Sequence, residues 1–415
     1  VGVGSVTALL ATVVVGILGK TGQPWPVWDD GSIAMMQSLS LTNLKKQPVD
    51  PSNAFWNDPA AAALGYRLFS DTRLSADKKR ACVSCHQPQH AFTDGQSTAT
   101  GLAPLTRNTP TLIGAAYSRR YNWDGRSDSL WAQATGPLES ASELGISRGE
   151  LMHLLITDRQ LREEYEHVFG PLNHNIFQHF NGSPCGPQTN SSTGTQCWQR
   201  LPQAAKQSAT RVLVGIAKSL AAYQATLKPV TSRFDHFVTQ LSQGQITHAR
   251  ELMSRSEQRG LQLFLDIEKT QCLNCHNGPL LSNGGMHDIG TNLSTQSTIE
   301  LGQFLGVLLL QNSEFKCDTR YSDALPEQCH ELRFLQNRNE GEGRGAFKVP
   351  TLRNLVKTAP YMHDGRFHGL SEVLDYYNNP PLPDVPGAHE LKPLALTDAQ
   401  LKDMGAFLQT LSDAD

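Results

Sequence analysis

The chain has 415 residues, enough for two or more cores of ordinary size. Hydrophobic residues make up 39%, charged residues 18%, and the formal net charge is -3. This near-neutral balance, with no basic run, gives no electrostatic reason to expect nucleic acid and describes a globular body with a mixed, solvated surface.

The opening segment, residues 1–20, stands apart. Val1 to Gly19 carry no charge and include Ala-Leu-Leu-Ala-Thr-Val-Val-Val-Gly-Ile-Leu. Such a run is an export signal or a single anchor in the inner membrane, and the lack of a small-x-small cleavage site after it favours the anchor. Either way the body is exported. Residues 21–60 form an N-terminal extension that begins with a Pro/Trp-rich stretch, Gly22 to Trp28. Beyond it the pattern is helical. Apolar residues recur at three and four in Arg211–Thr226, Glu257–Asp266 and Thr397–Leu411, and no strong strand alternation appears. We expect a mainly α fold with long Pro-, Gly- and Asn-rich loops.

Two C-x-x-C-H motifs stand in the body, Cys82-Val-Ser-Cys85-His86 and Cys272-Leu-Asn-Cys275-His276. In this motif two thiols add across the vinyl groups of a porphyrin, and the adjacent histidine reaches the iron from the same side. The chain therefore reads as a carrier of two covalently bound haem c groups, with His86 and His276 as proximal iron ligands. The remaining cysteines, Cys185 with Cys197 and Cys317 with Cys329, are twelve positions apart in loop-like stretches. Disulfides are the economical reading, and they belong in an oxidising compartment, here the periplasm.

An internal duplication lies in the spacing. Leu64-Gly65-Tyr66-Arg67-Leu68-Phe69 precedes the first motif, and Arg259-Gly260-Leu261-Gln262-Leu263-Phe264 the second. After the motifs come Asn108-Thr-Pro-Thr-Leu112 with Trp123-Asp-Gly-Arg126, and Lys348-Val-Pro-Thr-Leu352 with His363-Asp-Gly-Arg366. Leu112 to Trp123 and Leu352 to His363 are both eleven positions. Two cytochrome c-like haem units, 61–230 and 231–415, follow from this register. The second copy is longer, 87 positions from His276 to His363 against 37 from His86 to Trp123. The excess implies a disulfide-pinned insert, 300–345, on the second unit.

Register also addresses the sixth position of each iron. Fourteen residues beyond Trp123 is Pro137, and fourteen beyond His363 is Tyr377. Proline offers no donor atom, so the first iron should be five-coordinate; a phenol oxygen at Tyr377 would close the second. Tyr376 beside it, and Met286, His287 and Met362, are rival ligands. Gln133 and Glu143 lie ten and twenty positions beyond Trp123. A carboxylate there could move a proton between the oxygens of a bound peroxide, and an amide could hold it. Trp123, in the slot of His363, is a candidate relay where the two units meet.

These residues resemble the bacterial diheme cytochrome c peroxidase/MauG superfamily over roughly 55 to 412. The resemblance rests on Cys82 to Gly95, Arg107 to Leu112, Trp123 to Arg126, Cys272 to Pro279 and Ala359 to Gly365. It implies a peroxide-reactive first haem with Gln133, Pro137 and Glu143 over it, and Trp123 between the haems. It also implies one calcium between the domains, carried by Asn108, Thr358 and the carbonyl of Pro360. Two departures from the plain peroxidase pattern stand out: Tyr377 where methionine is usual, and no histidine in the loop Gln96 to Thr106. Both resemble the MauG side, whose members use hydrogen peroxide to build a high-valent state shared by both haems and then oxidise aromatic residues of a separate protein. The opening stretch, Trp28 through Leu39-Ser-Leu-Thr to Asn53, resembles most the methanobactin-associated (MbnH-type) diheme enzymes, which pair with a small copper-binding partner. The alternatives are a peroxidase fed by a small cytochrome or cupredoxin, and a pure electron carrier with both irons six-coordinate.

Overall fold

The computed structural model describes residues 24–188, 191–292, 300–335, 342–381 and 389–413. The apolar segment 1–19 lies outside them. Among the described residues no helix is long and apolar enough to cross a membrane.

Helices dominate, and side-chain caps start many of them. α1 (Asp30–Leu39) is capped by Asp29, whose carboxylate accepts the amide of Ser32 at 2.7 Å. α2 (Pro59–Phe69) begins where Asp58 accepts from Ala60 and Pro59 fills a position that needs no N–H. α3 (Cys82–Cys85) is a single turn. α4 (Leu130–Glu139), α5 (Arg148–Thr157), α6 (Arg159–Phe169) and α7 (Ser192–Arg200) lead to the long α8 (Gln203–Gln224). α9 (Arg233–Ser242), α10 (Ile246–Leu252) and α11 (Arg255–Leu265) follow, then α12 (Gln303–Gln311), α13 (Leu370–Asn378) and α14 (Asp398–Gln409). Capping boxes, Ser254 with Glu257 and Thr397 with Gln400, open α11 and α14. The three periodic stretches of the sequence are α8, α11 and α14. A single two-residue ladder, β1 (Met286–His287) against β2 (Phe347–Lys348), is the sheet among the described residues.

Two apolar cores result. In the first, α2 packs on α8 so closely that a Cβ on Gly65 would stand 2.0 Å from the carbonyl oxygen of Ser219. Leu64, Leu68, Trp131, Leu151, Ile216 and Leu220 fill this core. In the second, α11 meets α14 at Gly260, where a Cβ would stand 2.0 Å from the carbonyl oxygen of Asp403. Phe234, Phe237, Phe264 and Phe407 fill it, joined by Met36 and Leu39 of α1. Only glycine permits either approach.

The cores exchange segments. Arg353 forks onto Asp235 at 2.7 and 3.1 Å and donates to the carbonyl of Leu39 at 2.7 Å, tying the N-terminal extension to the second core. In return, the described part of 300–345 packs on the first core rather than the second. Phe315 and Tyr321 are buried there, with Phe315 edge-on to Trp131 at 6.3 Å. Lys218 reaches Asp323 at 2.6 Å and Arg148 reaches Glu314 at 2.9 Å. Aromatic burial and ion pairing, which no linear spacing reveals, place the insert. Both expected disulfides are present, Cys185–Cys197 and Cys317–Cys329.

Candidate functional site

Each C-x-x-C-H motif folds as one tight turn. The amide of His86 donates to the carbonyl of Cys82 at 2.9 Å, and that of His276 to Cys272 at 2.9 Å. The four motif thiols are unbridged. His86 Nδ1 lies 3.0 Å from the carbonyl oxygen of Phe92, and His276 Nδ1 lies 3.0 Å from that of Leu281. Donation from Nδ1 fixes the tautomer and leaves the Nε2 lone pair for a metal. Burial pushes both imidazoles down, His276 to about 4, so the neutral ligand form is held. The acceptor carbonyls are aimed by left-handed backbone at Ala91, Phe92 and Leu281, with φ of 49°, 60° and 51°. Sequence gave no sign of these turns, because none is a glycine.

A cavity of about 440 Å³ opens at the second motif, lined by Cys272, Cys275 and His276. Leu370, Val373, Leu374 and Tyr377 of α13 form one wall, at the spacing of a single helical face. The two adjacent tyrosines separate here. Tyr376 donates its hydroxyl to the carbonyl of Ile289 at 2.7 Å, whereas Tyr377 faces the cavity beside the thiols. Burial, then Cys272 and Cys275, push the Tyr377 phenol well above its ordinary value. Of the rival ligands, Met286 packs over Gly125 instead, while His287 lines the cavity with its Nδ1 held by Glu390 at 2.7 Å. Met362 also lines the cavity.

In the first unit, α4 is buried along most of its length but Gln133, Gly136 and Pro137 share its more open face. A Cβ on Gly136 would meet nothing within 4 Å. Burial pushes the Cys82 and Cys85 thiols up, and Glu143, within electrostatic reach of both, adds a smaller push in the same direction. Burial pushes the Glu143 carboxyl up, and Arg126 and the Ser140 hydroxyl only partly offset this.

Trp123 and the calcium candidates border the same cavity. The indole N–H of Trp123 donates to the carbonyl of Asn108 at 2.9 Å, and its own carbonyl accepts from Lys348 N at 2.8 Å. Asn108, Thr358 and Pro360 all line the cavity, with the Asn108 amide N–H donating to Gln96 at 2.9 Å and its Oδ1 left as an oxygen donor. A cluster the sequence reading left without a role sits alongside. His363, 2% exposed, stacks on Phe347 at 3.6 Å with Nε2 3.4 Å from Glu300, which Arg107 holds at 2.6 Å. The register of His363 with Trp123 was its one visible signal.

Paired free thiols, a tautomer-locked imidazole and, at the second motif, an apolar wall are a donor set that fits a c-type haem. Comparison with known proteins agrees. The family model for di-haem cytochrome c peroxidase (CCP_MauG) matches residues 59–243. The chain resembles the diheme cytochrome c peroxidase and MauG family, the matched stretch holding the first motif. It is therefore a haem-dependent oxidoreductase, and the family implies two c-type haems. Cytochrome-c peroxidase IdrP1 of Denitromonas iodatirespirans is 29% identical over 90% of this chain and 86% of that protein. Methylamine utilization protein MauG of Methylorubrum extorquens is 27% identical over 85% of this chain and 78% of its own length. Among solved structures, a MauG-like protein associated with microbial copper homeostasis shares the fold at a TM-score of 0.56 and 23% identity, covering 89% of this chain and 95% of that one. The diheme peroxidase BthA of Burkholderia thailandensis does so at 0.61 and 23%, covering 88% and 89%.

Proposed function

We propose that this chain is an exported enzyme that uses hydrogen peroxide to oxidise an aromatic residue, tryptophan or tyrosine, of a partner protein. The observation that carries this is that Tyr377 faces the cavity at the second motif beside Cys272 and Cys275; Pro137, which holds the register position of Tyr377, brings no donor atom to the first. Cys82, Cys85 and His86 would hold one c-type haem and Cys272, Cys275, His276 and Tyr377 another, and these groups would supply the redox chemistry for the reduction of peroxide.

The chain's own residues do the rest. Glu143 takes a proton from the inner oxygen of peroxide and delivers it to the outer one, while the Gln133 amide orients that molecule. Pro137 keeps the approach free of competing donors. Trp123, hydrogen-bonded to Asn108 and Lys348, is a rigid indole through which an electron can pass between the sites. Calcium held by Asn108, Thr358 and the Pro360 carbonyl would fix that junction. The matching α2/α8 and α11/α14 contacts at Gly65 and Gly260, and matching bridges Tyr121–Ser127 and Tyr361–Phe367, support descent of both halves from one haem unit. We place the body in the periplasm, where its disulfides persist, with residues 1–19 as an inner-membrane anchor. The partner is a small exported protein of the copper-binding kind, by the resemblance of residues 28–53.

The test is peroxide added to the oxidised holoprotein. A persistent oxidised species that decays on adding a tryptophan- or tyrosine-bearing partner supports the proposal. The cytochrome-c peroxidase relative favours a second reading, fed by a small cytochrome or cupredoxin. Rapid turnover with a reduced cytochrome, and no lasting species without one, selects that reading.

A further inference from the structure

α2 and α8 do more than fill the first core. Because Gly65 lets the helices touch, a Cβ there would lie 2.9 Å from Tyr223 Cβ, and Tyr223 is brought beside two rings of α2. Its centroid lies 5.2 Å from that of Phe69 and 5.4 Å from that of Tyr66. Phe69 stands 6.3 Å from Phe92, the residue whose carbonyl accepts from His86 Nδ1. A continuous line of rings thus runs from the first motif to Tyr66, which is 65% exposed. Its outer two members are phenols, far easier to oxidise than the phenylalanines that bridge them to the motif.

The second unit supplies an internal control. Gly260 makes the same close approach, and Phe264 and Phe407 pack with centroids 5.2 Å apart, as Phe69 and Tyr223 do. There, however, Phe407 replaces the phenol, and Leu261, fully buried, stands where Tyr66 reaches solvent. Packing alone is satisfied by phenylalanine and leucine. At these two positions the phenols occur only in the unit read as peroxide-reactive.

We propose that Tyr223 and Tyr66 conduct oxidising equivalents from the first haem site to the surface, making Tyr66 the site at which small phenol-type donors are oxidised one electron at a time or, in their absence, Tyr66 itself is modified. The inference rests on the peroxide reaction proposed above. Each phenol gives up one electron and one proton, Tyr66 to the solvent it faces. One hydrogen peroxide accepts two electrons and two protons and leaves as two waters, so two phenols become two phenoxyl radicals.

Peroxide is added in equal amount to the oxidised holoprotein, without partner, in the presence of a nitroso spin trap. Freeze-quenched EPR and peptide mass spectrometry are the readouts, with peroxide consumption followed in the same sample. The expected result is a phenoxyl signal and an adduct on the peptide containing Tyr66. Tyr66→Phe abolishes that adduct, and Tyr223→Phe lowers it more than tenfold with Tyr66 intact; haem absorbance reports that both variants fold. Peroxide consumed with Tyr66 unlabelled, or Tyr223→Phe labelled as strongly as wild type, overturns this inference alone. Peroxide left unconsumed overturns it together with the function it rests on.

Discussion

Glu143 sits under opposed influences, burial raising its carboxyl and Arg126 lowering it, with burial prevailing. A proton acceptor works as the carboxylate. The peroxide reaction should therefore slow as pH falls through a value above the ordinary carboxyl range and recover above it, a limb that stopped-flow absorbance will resolve. Glu143→Gln should remove the limb and slow the reaction by roughly 10²- to 10⁴-fold; an unchanged rate would exclude the role. At the second site, Tyr377→Phe takes away the oxygen donor and leaves Tyr376 on its carbonyl. We expect the low-spin EPR signal of that haem to change while the high-spin signal of the other persists. Spacing alone pointed to Tyr377 but could not separate it from Tyr376. The choice rests on which hydroxyl a carbonyl already holds, a fact of three dimensions.

Among the helices, the two glycine contacts are the points of least tolerance. The methyl of Gly65→Ala or Gly260→Ala would meet a backbone oxygen that cannot swing aside. Each should cost about 1–3 kcal/mol or more by overpacking, seen as a lower midpoint in denaturation of the holoprotein. Matching positions before the two motifs pointed to both glycines, and helical periodicity to the helix of Gly260; only the crossing shows why glycine is needed. Asp235 and Arg353 join α1, α9 and the loop after β2. Burial raises the Asp235 carboxyl, but the Arg353 guanidinium and the amides of Ser232 and Leu41 lower it further, so the net direction is downward. The stability this adds is present above the unfolded value near 3.8 and is lost as pH falls through the lower folded value. Asp235→Asn should flatten that acid limb and destabilise by about 3–5 kcal/mol, since it strands a buried guanidinium. Urea titrations at several pH values would show both effects.

The whole molecule is held together by exchange, with α1 lent to the second core and the insert lent to the first. The Cys317–Cys329 bridge closes a short loop within that insert. Replacing both cysteines by serine should cost at most about 3 kcal/mol. The loss should appear as faster hydrogen exchange around Phe315, Tyr321 and Trp131, with the second core spared. Uniform loosening of both cores would contradict the packing described.

Sequence by itself determined local structure and the placing of its cysteines: two C-x-x-C-H motifs, two disulfide pairs and the helical periodicities. These depend on neighbours within a few residues, or on identity at a fixed spacing, and so are written along the chain. Tertiary structure alone decided which carbonyls hold His86 and His276, which tyrosine faces the cavity, where the insert rests and which rings join the first motif to the surface. Those depend on the meeting of segments far apart in the chain, through burial and close contact that linear order does not record.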